Sequence, residues 1–296
     1  MIKAAPAIWV LKLATTCALL LACCWVAPRL FKNLPQFPPT TTDEEQFVNL
    51  NRYFQLPVAD VALVGSSLTF RLKEQYFEEG NVRNVALSGG SSLTGLAVID
   101  AAQARRPRII AVETNILTRG IDDNLFQKFK YSGRADDMLR PLRTLAAFYQ
   151  TRVFRDQPAF DAEKRRGVLS APAVAYDNAK SIKQILLEWN KPIYEDAITR
   201  DAKALKALIE RLEASGITVY LYELPMAPAV DESGYVKTTR ATLERVFGPV
   251  NNRWLRLVYP ADELRWDDGA HLDERSAIII STSLEKAIGK RTGSQN

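Results

Sequence analysis

Two short segments far apart in the chain contain serine, aspartate and histidine side chains that could form a proton relay. The first is Gly65-Ser66-Ser67, which closes a hydrophobic run, and the second is Asp268-Gly-Ala-His271, which holds the only histidine among 296 residues. A serine hydroxyl becomes a nucleophile when an imidazole accepts its proton, and a carboxylate on the other ring nitrogen fixes the required tautomer. The types and spacing are thus compatible with a centre in which Ser67 is the nucleophile, His271 the base and Asp268 the orienting acid.

Each segment also has an ordinary structural interpretation. A serine pair between a strand and a helix is commonly an N-cap, and Asp-x-x-His is commonly a polar turn. A serine at the carboxyl edge of a parallel sheet nevertheless lies where open α/β sheets bind ligands, and the following helix offers N–H groups to developing negative charge. Spacing alone does not supply the geometry of a proton relay, so both interpretations stay open at this point.

The elements around these segments alternate short β-branched runs with amphipathic stretches, which is typical of a parallel sheet covered by helices. Strands are predicted at Asp60–Gly65, Val82–Leu87, Arg108–Glu113, Ile217–Glu223 and Leu255–Tyr259. Helices are predicted at Leu68–Glu79, Leu93–Ala104, Arg200–Ser215, Thr238–Val246 and Leu272–Ile288. The expected fold class is α/β, a three-layer domain of flavodoxin-like winding with about five parallel strands.

The domain organisation follows from changes in composition along the chain. Residues 1–30 are predicted to be a membrane anchor or signal segment, 31–58 a Pro/Thr-rich linker with a lead-in helix, and 59–290 the α/β domain. Residues 118–195 are too long for an ordinary crossover and are predicted to be an insertion between strands 3 and 4, partly helical near Asp136–Thr151. That insertion could wall a substrate site or be a solvated elaboration.

The N-terminal segment is apolar and nearly free of charge. About 20 apolar residues are available if Lys12 reaches the headgroups, so an uncleaved transmembrane anchor is the favoured interpretation. A cleaved signal peptide remains an alternative, and Leu20-Leu21-Ala22-Cys23 resembles a bacterial lipobox that would make Cys23 the lipidated residue. The expected location is the bacterial cell envelope, anchored in the inner membrane with the domain in the periplasm.

Charge and cysteine usage exclude several classes of function. Lys3, Lys12 and Arg29 account for three of the net +5 charges and no acidic residue precedes Leu30, so the remainder carries only +2 and nucleic-acid binding gets no support. All three cysteines lie in the apolar segment, so the globular part has no disulfide or thiolate metal site. A nucleotide-binding domain is disfavoured because no glycine-rich phosphate loop follows the first strand.

Four segments, in this order along the chain, resemble conserved blocks of the SGNH or GDSL hydrolases. Gly65-Ser66-Ser67-Leu68 is similar to the family's Gly-Asp-Ser-Leu, with serine in place of aspartate at position 66. The segment Asn84-Val-Ala-Leu-Ser-Gly89 is similar to the second block. The segment Arg108-Ile-Ile-Ala-Val-Glu-Thr-Asn115 is similar to the third. The fifth is resembled by Asp268-Gly-Ala-His271. The third block usually reads Gly-x-Asn-Asp, and here Glu113 and Ile116 stand at its ends.

The resemblance implies a role for each matched residue. Ser67 would attack, His271 would act as base and Asp268 would orient it. The oxyanion hole would be formed by the N–H groups of Ser67 and Gly89 and by the side-chain amide of Asn115. No metal and no organic cofactor is needed for such chemistry.

The altered first block and the N-terminal segment are similar to a cell-envelope subset of the family, which includes alginate O-acetyltransferase-like and D-alanyl transfer proteins. This similarity implies an O-acetyltransferase or acylesterase that uses an ester or thioester acyl donor and a cell-surface glycan acceptor, beside a membrane-bound O-acyltransferase. The proposed triad does not decide between hydrolysis and transfer. The altered first and third blocks leave an alternative, a non-catalytic assembly or polysaccharide-binding component with the same fold.

Overall fold

The computed structural model describes residues 5–30, 39, 41–78, 81–130, 160–249 and 252–293. The chain divides into two compact units, Met1–Thr40 with Ala135–Ala159, and Thr41–Arg134 with Phe160–Asn296. The described part of the first unit contributes one helix, α1 (Ala5–Leu30), with exposed apolar side chains. Across the described residues, no helix combines the length and the hydropathy needed to cross a bilayer. The helix expected near residues 136–151 lies outside the described part of the chain.

The larger unit is an α/β domain whose described residues contain one parallel sheet of four strands, in the order β2-β1-β3-β4. The strands are β1 (Val61–Val64), β2 (Val82–Asn84), β3 (Ile109–Glu113) and β4 (Thr218–Tyr222). Its helices are α2 (Thr42–Gln55), α3 (Ser67–Phe70), α4 (Ser92–Ala101), α5 (Asp123–Lys130), α6 (Ala162–Ser170), α7 (Ala179–Trp189), α8 (Glu195–Ala214), α9 (Pro228–Asp231), α10 (Gly234–Phe247) and α11 (Glu274–Gly293). Turns of 3₁₀ helix lie at Glu74–Tyr76, Gln103–Arg105, Pro192–Tyr194 and Ala261–Glu263. The predicted fold class is confirmed, and the arrangement is compatible with three layers.

Strands β1 and β3 are buried on both faces, which explains their nearly continuous runs of apolar residues. Every residue of β1 and β3 is buried, and the four residues of β1 are 0 to 7% exposed. The register pairs Val61 with Val82 on one side and with Ile109 on the other. Because all three strands run in the same direction, their carboxyl ends meet at one edge of the sheet.

The fifth predicted strand, Leu255–Tyr259, is wrong. One isolated parallel bridge joins Trp254 to Leu221 of β4: the N–H of Leu221 donates to Arg253 O, and the N–H of Leu255 donates to Leu221 O, both at 2.8 Å. Further along, the N–H of Val258 donates to Ser283 Oγ of α11 at 2.8 Å instead of to the sheet. The segment after Trp254 therefore packs against α11 at Val258, and the ladder stops after a single bridge.

The first predicted helix, Leu68–Glu79, is also wrong in its extent, since α3 ends after Phe70 and a separate 3₁₀ turn follows. The side-chain amide of Asn84 donates to the carbonyls of Thr69 and Leu72 at 2.8 and 2.7 Å. At the same point the backbone hydrogen bonding changes from four-residue to three-residue spacing, because the N–H of Leu72 donates to Thr69 O at 2.9 Å. Carbonyls that would continue an α-helix are thus capped by a neighbouring strand residue.

The other predicted helices are confirmed with shifted ends. Helices α8 and α10 begin five and four residues earlier than predicted, at Glu195 and Gly234, and α11 runs to Gly293. The start of α10 is fixed by Ser233, whose hydroxyl accepts a bond from Val236 N. The described parts of the insertion include α5, α6 and α7.

Candidate active site

Ser67 is the first residue of α3, at the carboxyl end of β1. Its neighbour Ser66 has extended backbone and caps the helix, accepting a bond from Leu68 N at 3.2 Å. The turn is tight because Gly65 precedes it, and a Cβ at Gly65 would lie 2.4 Å from Thr69 Oγ1. The local sequence thus places a half-buried serine at the edge of the sheet, with the first N–H groups of a helix beside it.

His271 and Asp268 lie in a closed loop that leads into α11. The N–H of Asp267 donates to His271 O at 2.9 Å, and an antiparallel bridge joins Trp266 to Leu272. Gly269 turns the loop with φ 98°, a backbone conformation that side-chain-bearing residues rarely adopt. The loop therefore holds the imidazole and the carboxylate on one short, rigid stretch of chain.

The structure brings the three predicted side chains together although 204 positions separate the serine from the histidine. Ser67 Oγ lies 2.8 Å from His271 Nε2, and His271 Nδ1 lies 2.7 Å from Asp268 Oδ2. If Nδ1–H donates to the carboxylate, Nε2 is left to accept the serine proton. The His271 and Asp268 side chains are 26% and 39% exposed, so the arrangement faces solvent from which a substrate could approach.

Asp268 is held in its ionised form by the loop around it. Burial opposes ionisation, but hydrogen bonds from the His271 ring and from the N–H groups of His271 and Ala270 together hold the pKa of Asp268 below its ordinary value. The two backbone donors reach Oδ1 at 2.8 and 2.9 Å. One carboxylate oxygen thus fixes the loop while the other orients the imidazole.

Gly89 lies at the same edge of the sheet as Ser67. The N–H of Leu87 donates to Gly65 O at 3.0 Å, so the segment that leads to Gly89 runs beside the turn that carries the serine. Gly89 has φ 68°, and a Cβ there would lie 2.9 Å from Thr42 Cγ2. Its predicted role as an oxyanion donor stays a prediction.

Helix α2 holds the segment around Gly89 in place, a feature that the sequence did not reveal. Gln46 Nε2 donates to Ser88 O at 2.5 Å, and Asn49 Nδ2 donates to Ala86 O at 2.6 Å. Both amides are buried, and the two residues are three apart on one face of the helix. The helix predicted as a lead-in thus supports the candidate site, and only the spacing of its two buried amides could have indicated that.

Asn115 follows β3, and both polar atoms of its side chain bond to the backbone of Leu224. Its Oδ1 accepts from Leu224 N at 2.8 Å and its Nδ2 donates to Leu224 O at 2.9 Å. The side chain is buried, and this reciprocal pairing joins the segments that follow β3 and β4. Asn115 thus braces the sheet edge, and its predicted role as an oxyanion donor stays a prediction.

A half-exposed ion pair crosses between the two segments of the site. Arg71 Nη1 lies 3.1 Å from Asp267 Oδ2, with side chains 45% and 35% exposed. Arg71 follows α3 and Asp267 immediately precedes Asp268. Exposed pairs of this kind contribute about 0–1 kcal/mol, so this one adds little to what the loop itself provides.

The insertion packs directly against the histidine loop. A Cβ on Gly269 would lie 2.5 Å from Ile182 Cγ1 of α7, so Ile182 occupies the space that a side chain there would need. Just before α7, Asn178 Nδ2 donates to Trp266 O at 3.0 Å. These contacts favour the interpretation of residues 118–195 as part of the site's wall over that of a purely solvated elaboration.

Glu113, at the end of β3, is the most prominent residue near the site that the sequence analysis did not assign. It is 1% exposed and its carboxylate lies under the Ser66 turn. Burial raises the pKa of Glu113, while hydrogen bonds from Ser66 and from the N–H groups of Ile116 and Asn115 act against that rise. A signal existed in the sequence, since a carboxylate stands at the end of a buried strand.

Comparison of the chain with protein-family models, with curated proteins and with solved structures finds no match. Among the residues that the structure describes, no group of three or more His, Cys, Asp and Glu side chains could hold a metal ion. The class of site is therefore defined by the geometry alone: a hydroxyl, an imidazole and a carboxylate in hydrogen-bonding series at the carboxyl edge of a parallel sheet.

Proposed function

We propose that the chain is a serine acyl-transfer enzyme of the SGNH or GDSL type, with Ser67, His271 and Asp268 as its catalytic residues. One observation carries the proposal, the series Oγ to Nε2 at 2.8 Å and Nδ1 to Oδ2 at 2.7 Å. These distances lie within the range needed for general-base activation of a hydroxyl. The order and position of the four resembling segments support the family assignment.

The reaction begins when His271 Nε2 takes the proton of Ser67 as Oγ attacks the carbonyl carbon of an ester or thioester. The negative charge that forms on the carbonyl oxygen is stabilised by the N–H groups of Ser67 and Gly89 and by the side-chain amide of Asn115, each worth on the order of 3 kcal/mol of barrier. Collapse breaks the bond to the leaving alcohol or thiol, which takes the proton from Nε2. Water or a sugar hydroxyl then attacks the acyl-serine, with His271 again as base.

Turnover of p-nitrophenyl acetate tests the assignment of the nucleophile. Ser67→Ala should reduce turnover to the background rate, and a serine-directed phosphonate should label wild type at residue 67 and leave the variant unlabelled. Ser215→Ala is the matched control, because the Ser215 hydroxyl donates to Leu212 O at the far end of α8. Full activity in folded Ser67→Ala, or folded wild type that no phosphonate labels, would refute catalysis and favour the non-catalytic assembly component.

The acceptor in the proposed function is a hydroxyl of a cell-surface glycan, with a membrane-bound O-acyltransferase as the partner that delivers the acyl group. The cell-envelope subset that the sequence resembles supports this choice. Incubating the full chain with an acetyl ester and glycan oligosaccharides separates the outcomes. Oligosaccharides heavier by one acetyl group indicate transfer, whereas free acetate alone indicates an acylesterase.

We also propose that residues 1–30 tether the domain to the inner membrane, with the domain in the periplasm. The apolar sequence supports this, as do the exposed side chains of α1, such as Trp9 at 71% and Leu11 at 68%. Membrane fractionation of cells that express wild type or Cys23→Ala tests the three forms. An unaltered chain in the membrane indicates an anchor, an acyl mass lost in the variant indicates lipidation, and a shortened soluble chain indicates cleavage.

A further inference from the structure

Two positions where the chain departs from the family's blocks contact each other. Ser66 stands where the first block usually has aspartate, and Glu113 stands where the third block usually begins with glycine. Glu113 Oε2 lies 2.6 Å from both the backbone nitrogen and the hydroxyl oxygen of Ser66. The carboxylate that the first block lacks is thus present next to it, supplied from the neighbouring strand.

The surroundings of Glu113 offer its carboxylate mainly hydrogen-bond donors. Oε2 accepts the two bonds from Ser66 and a longer one from Thr69 Oγ1 at 3.4 Å, while Oε1 accepts from Ile116 N at 3.2 Å. Thr69 Oγ1 also lies 2.8 Å from the hydroxyl of Tyr222 on β4. Two of these donors are backbone N–H groups, which cannot reverse their role.

The Ser66 hydroxyl has a second task that links the carboxylate to the nucleophile. It donates to Glu113 and at the same time accepts from Leu68 N, which is the cap of α3. Space at the turn is tight, because a Cβ on Gly65 would lie 2.7 Å from Glu113 Oε2. Ser66 therefore bonds directly to the Glu113 carboxylate, and Leu68 is linked to it through the Ser66 hydroxyl. These are the residues on either side of Ser67.

We infer that Glu113 is a positioning residue for the nucleophile: from β3 it holds Ser66 and the first turn of α3 in the conformation that presents Ser67 Oγ to His271. This inference rests on the proposed function. Glu113 acts through Ser66 and does not take part in proton transfer. Ser66 stands in place of the first block's aspartate, and Glu113 stands in place of the third block's glycine. The turn therefore keeps one carboxylate although the first block has no aspartate.

Glu113→Gln in the full chain tests the inference. An amide can face Ser66 or Ile116 with its oxygen but not both, so one backbone N–H then meets an NH₂ group. Because small displacements of reacting groups are costly, we expect kcat for p-nitrophenyl acetate to fall by about 10- to 100-fold with KM within about threefold. Hydrogen exchange of a peptide covering residues 61–72 should become faster in the variant.

The control is Asp201→Asn, which makes the same change at another buried carboxylate. Asp201 is 1% exposed and accepts from Gly120 N at 2.7 Å, without contact to the Ser66 turn. We expect this variant to exchange faster around residue 120 and to keep kcat within about threefold of wild type. An equal loss of kcat in both variants would overturn the inference, since it would reflect general loss of stability.

Ser66→Ala keeps the test decisive if Glu113→Gln does not fold. It retains the carboxylate and the bond from Ser66 N but removes the hydroxyl that donates to Glu113 and caps α3, so we expect kcat to fall by about three- to tenfold. Values of kcat within twofold of wild type in every folded variant would overturn the inference. Equal rates for wild type and Ser67→Ala would instead overturn the proposed function, and the exchange of residues 61–72 would still decide whether Glu113 holds the turn.

Discussion

Replacing Asp268 with asparagine separates the two tasks of this carboxylate. The Asn oxygen can keep the two backbone bonds that Oδ1 now accepts from Ala270 and His271. The new NH₂ group then faces His271 Nδ1, which must become an acceptor and leaves the ring hydrogen on Nε2. In that tautomer Nε2 donates toward Ser67 and cannot take its proton. The substitution therefore disables the base while it leaves the loop largely intact.

The expected magnitudes follow from which bonds are kept. Since both backbone bonds remain, the free energy of unfolding should fall by only about 1 kcal/mol, the worth of one exchanged hydrogen bond. Loss of the correct tautomer should lower kcat by about 10³- to 10⁴-fold, which corresponds to about 4–5.5 kcal/mol of barrier. Asp268→Ala should cost more stability, because it leaves the N–H groups of Ala270 and His271 without their acceptor.

Stability should also depend on pH in a defined direction. The pKa of Asp268 is lower in the folded chain than its ordinary value because the hydrogen bonds from His271 and Ala270 outweigh burial. Its contribution is therefore present above the unfolded pKa of about 3.9 and is lost as the pH falls through the folded value. The difference in unfolding free energy between wild type and Asp268→Asn should shrink below about pH 4.

Initial rates with p-nitrophenyl acetate and urea unfolding at several pH values measure both effects. Asp267→Asn is the control, since its exposed ion pair with Arg71 contributes about 0–1 kcal/mol and its loss should leave kcat within about threefold. If Asp268→Asn keeps more than a tenth of wild-type kcat, Asp268 does not orient the base and the reasoning is refuted.

Three further predictions concern other parts of the site. Gly269→Ala should lower the free energy of unfolding by about 2 kcal/mol, because of its positive φ and the 2.5 Å approach of Ile182, and Ile182→Ala should recover part of that loss in thermal melts. Asn115→Ala should lower stability by about 1–3 kcal/mol, because it leaves both backbone groups of Leu224 without their partner, and should slow phosphonate labelling of Ser67 by about 10²- to 10³-fold; a labelling rate within about threefold of wild type would remove Asn115 from the oxyanion hole. Burial raises the pKa of Glu113, so its contribution to stability is present in full below about pH 4.3 and is lost as the pH rises through the folded pKa. Urea unfolding at several pH values should show a smaller loss of unfolding free energy with rising pH in Glu113→Gln than in wild type. The same loss in both proteins would contradict this prediction.

The sequence predicted the contact between Ser67, His271 and Asp268 in two steps. A strand ending in Gly-Ser-Ser puts its hydroxyl at the carboxyl edge of a sheet, and Asp-x-x-His closes within one loop, so each segment could be interpreted locally. Their pairing was not local, since spacing alone left an N-cap and a polar turn as alternatives. It rested on the order of the four segments that resemble the SGNH or GDSL blocks.

Other features depended on long-range partners that periodicity cannot show. The first helix stops because Asn84, on a neighbouring strand, caps its carbonyls. The fifth predicted strand stops after one bridge, and the N–H of Val258 bonds to Ser283 of α11. Asn115 turns toward Leu224 although its position in the third block suggested another partner. In each case a side chain distant in sequence competes for a backbone group, and that competition is decided only in the folded chain.

The contact between Gly269 and Ile182 couples α7 to the loop that carries His271. The loop needs a glycine because the space above it is occupied by a residue contributed almost ninety positions earlier. A second contact, from the Asn178 amide to Trp266 O, joins the residue before α7 to the same loop. A displacement of α7 would therefore act directly on the segment that holds the base, so a helix with no residue in the proton relay takes part in shaping the site.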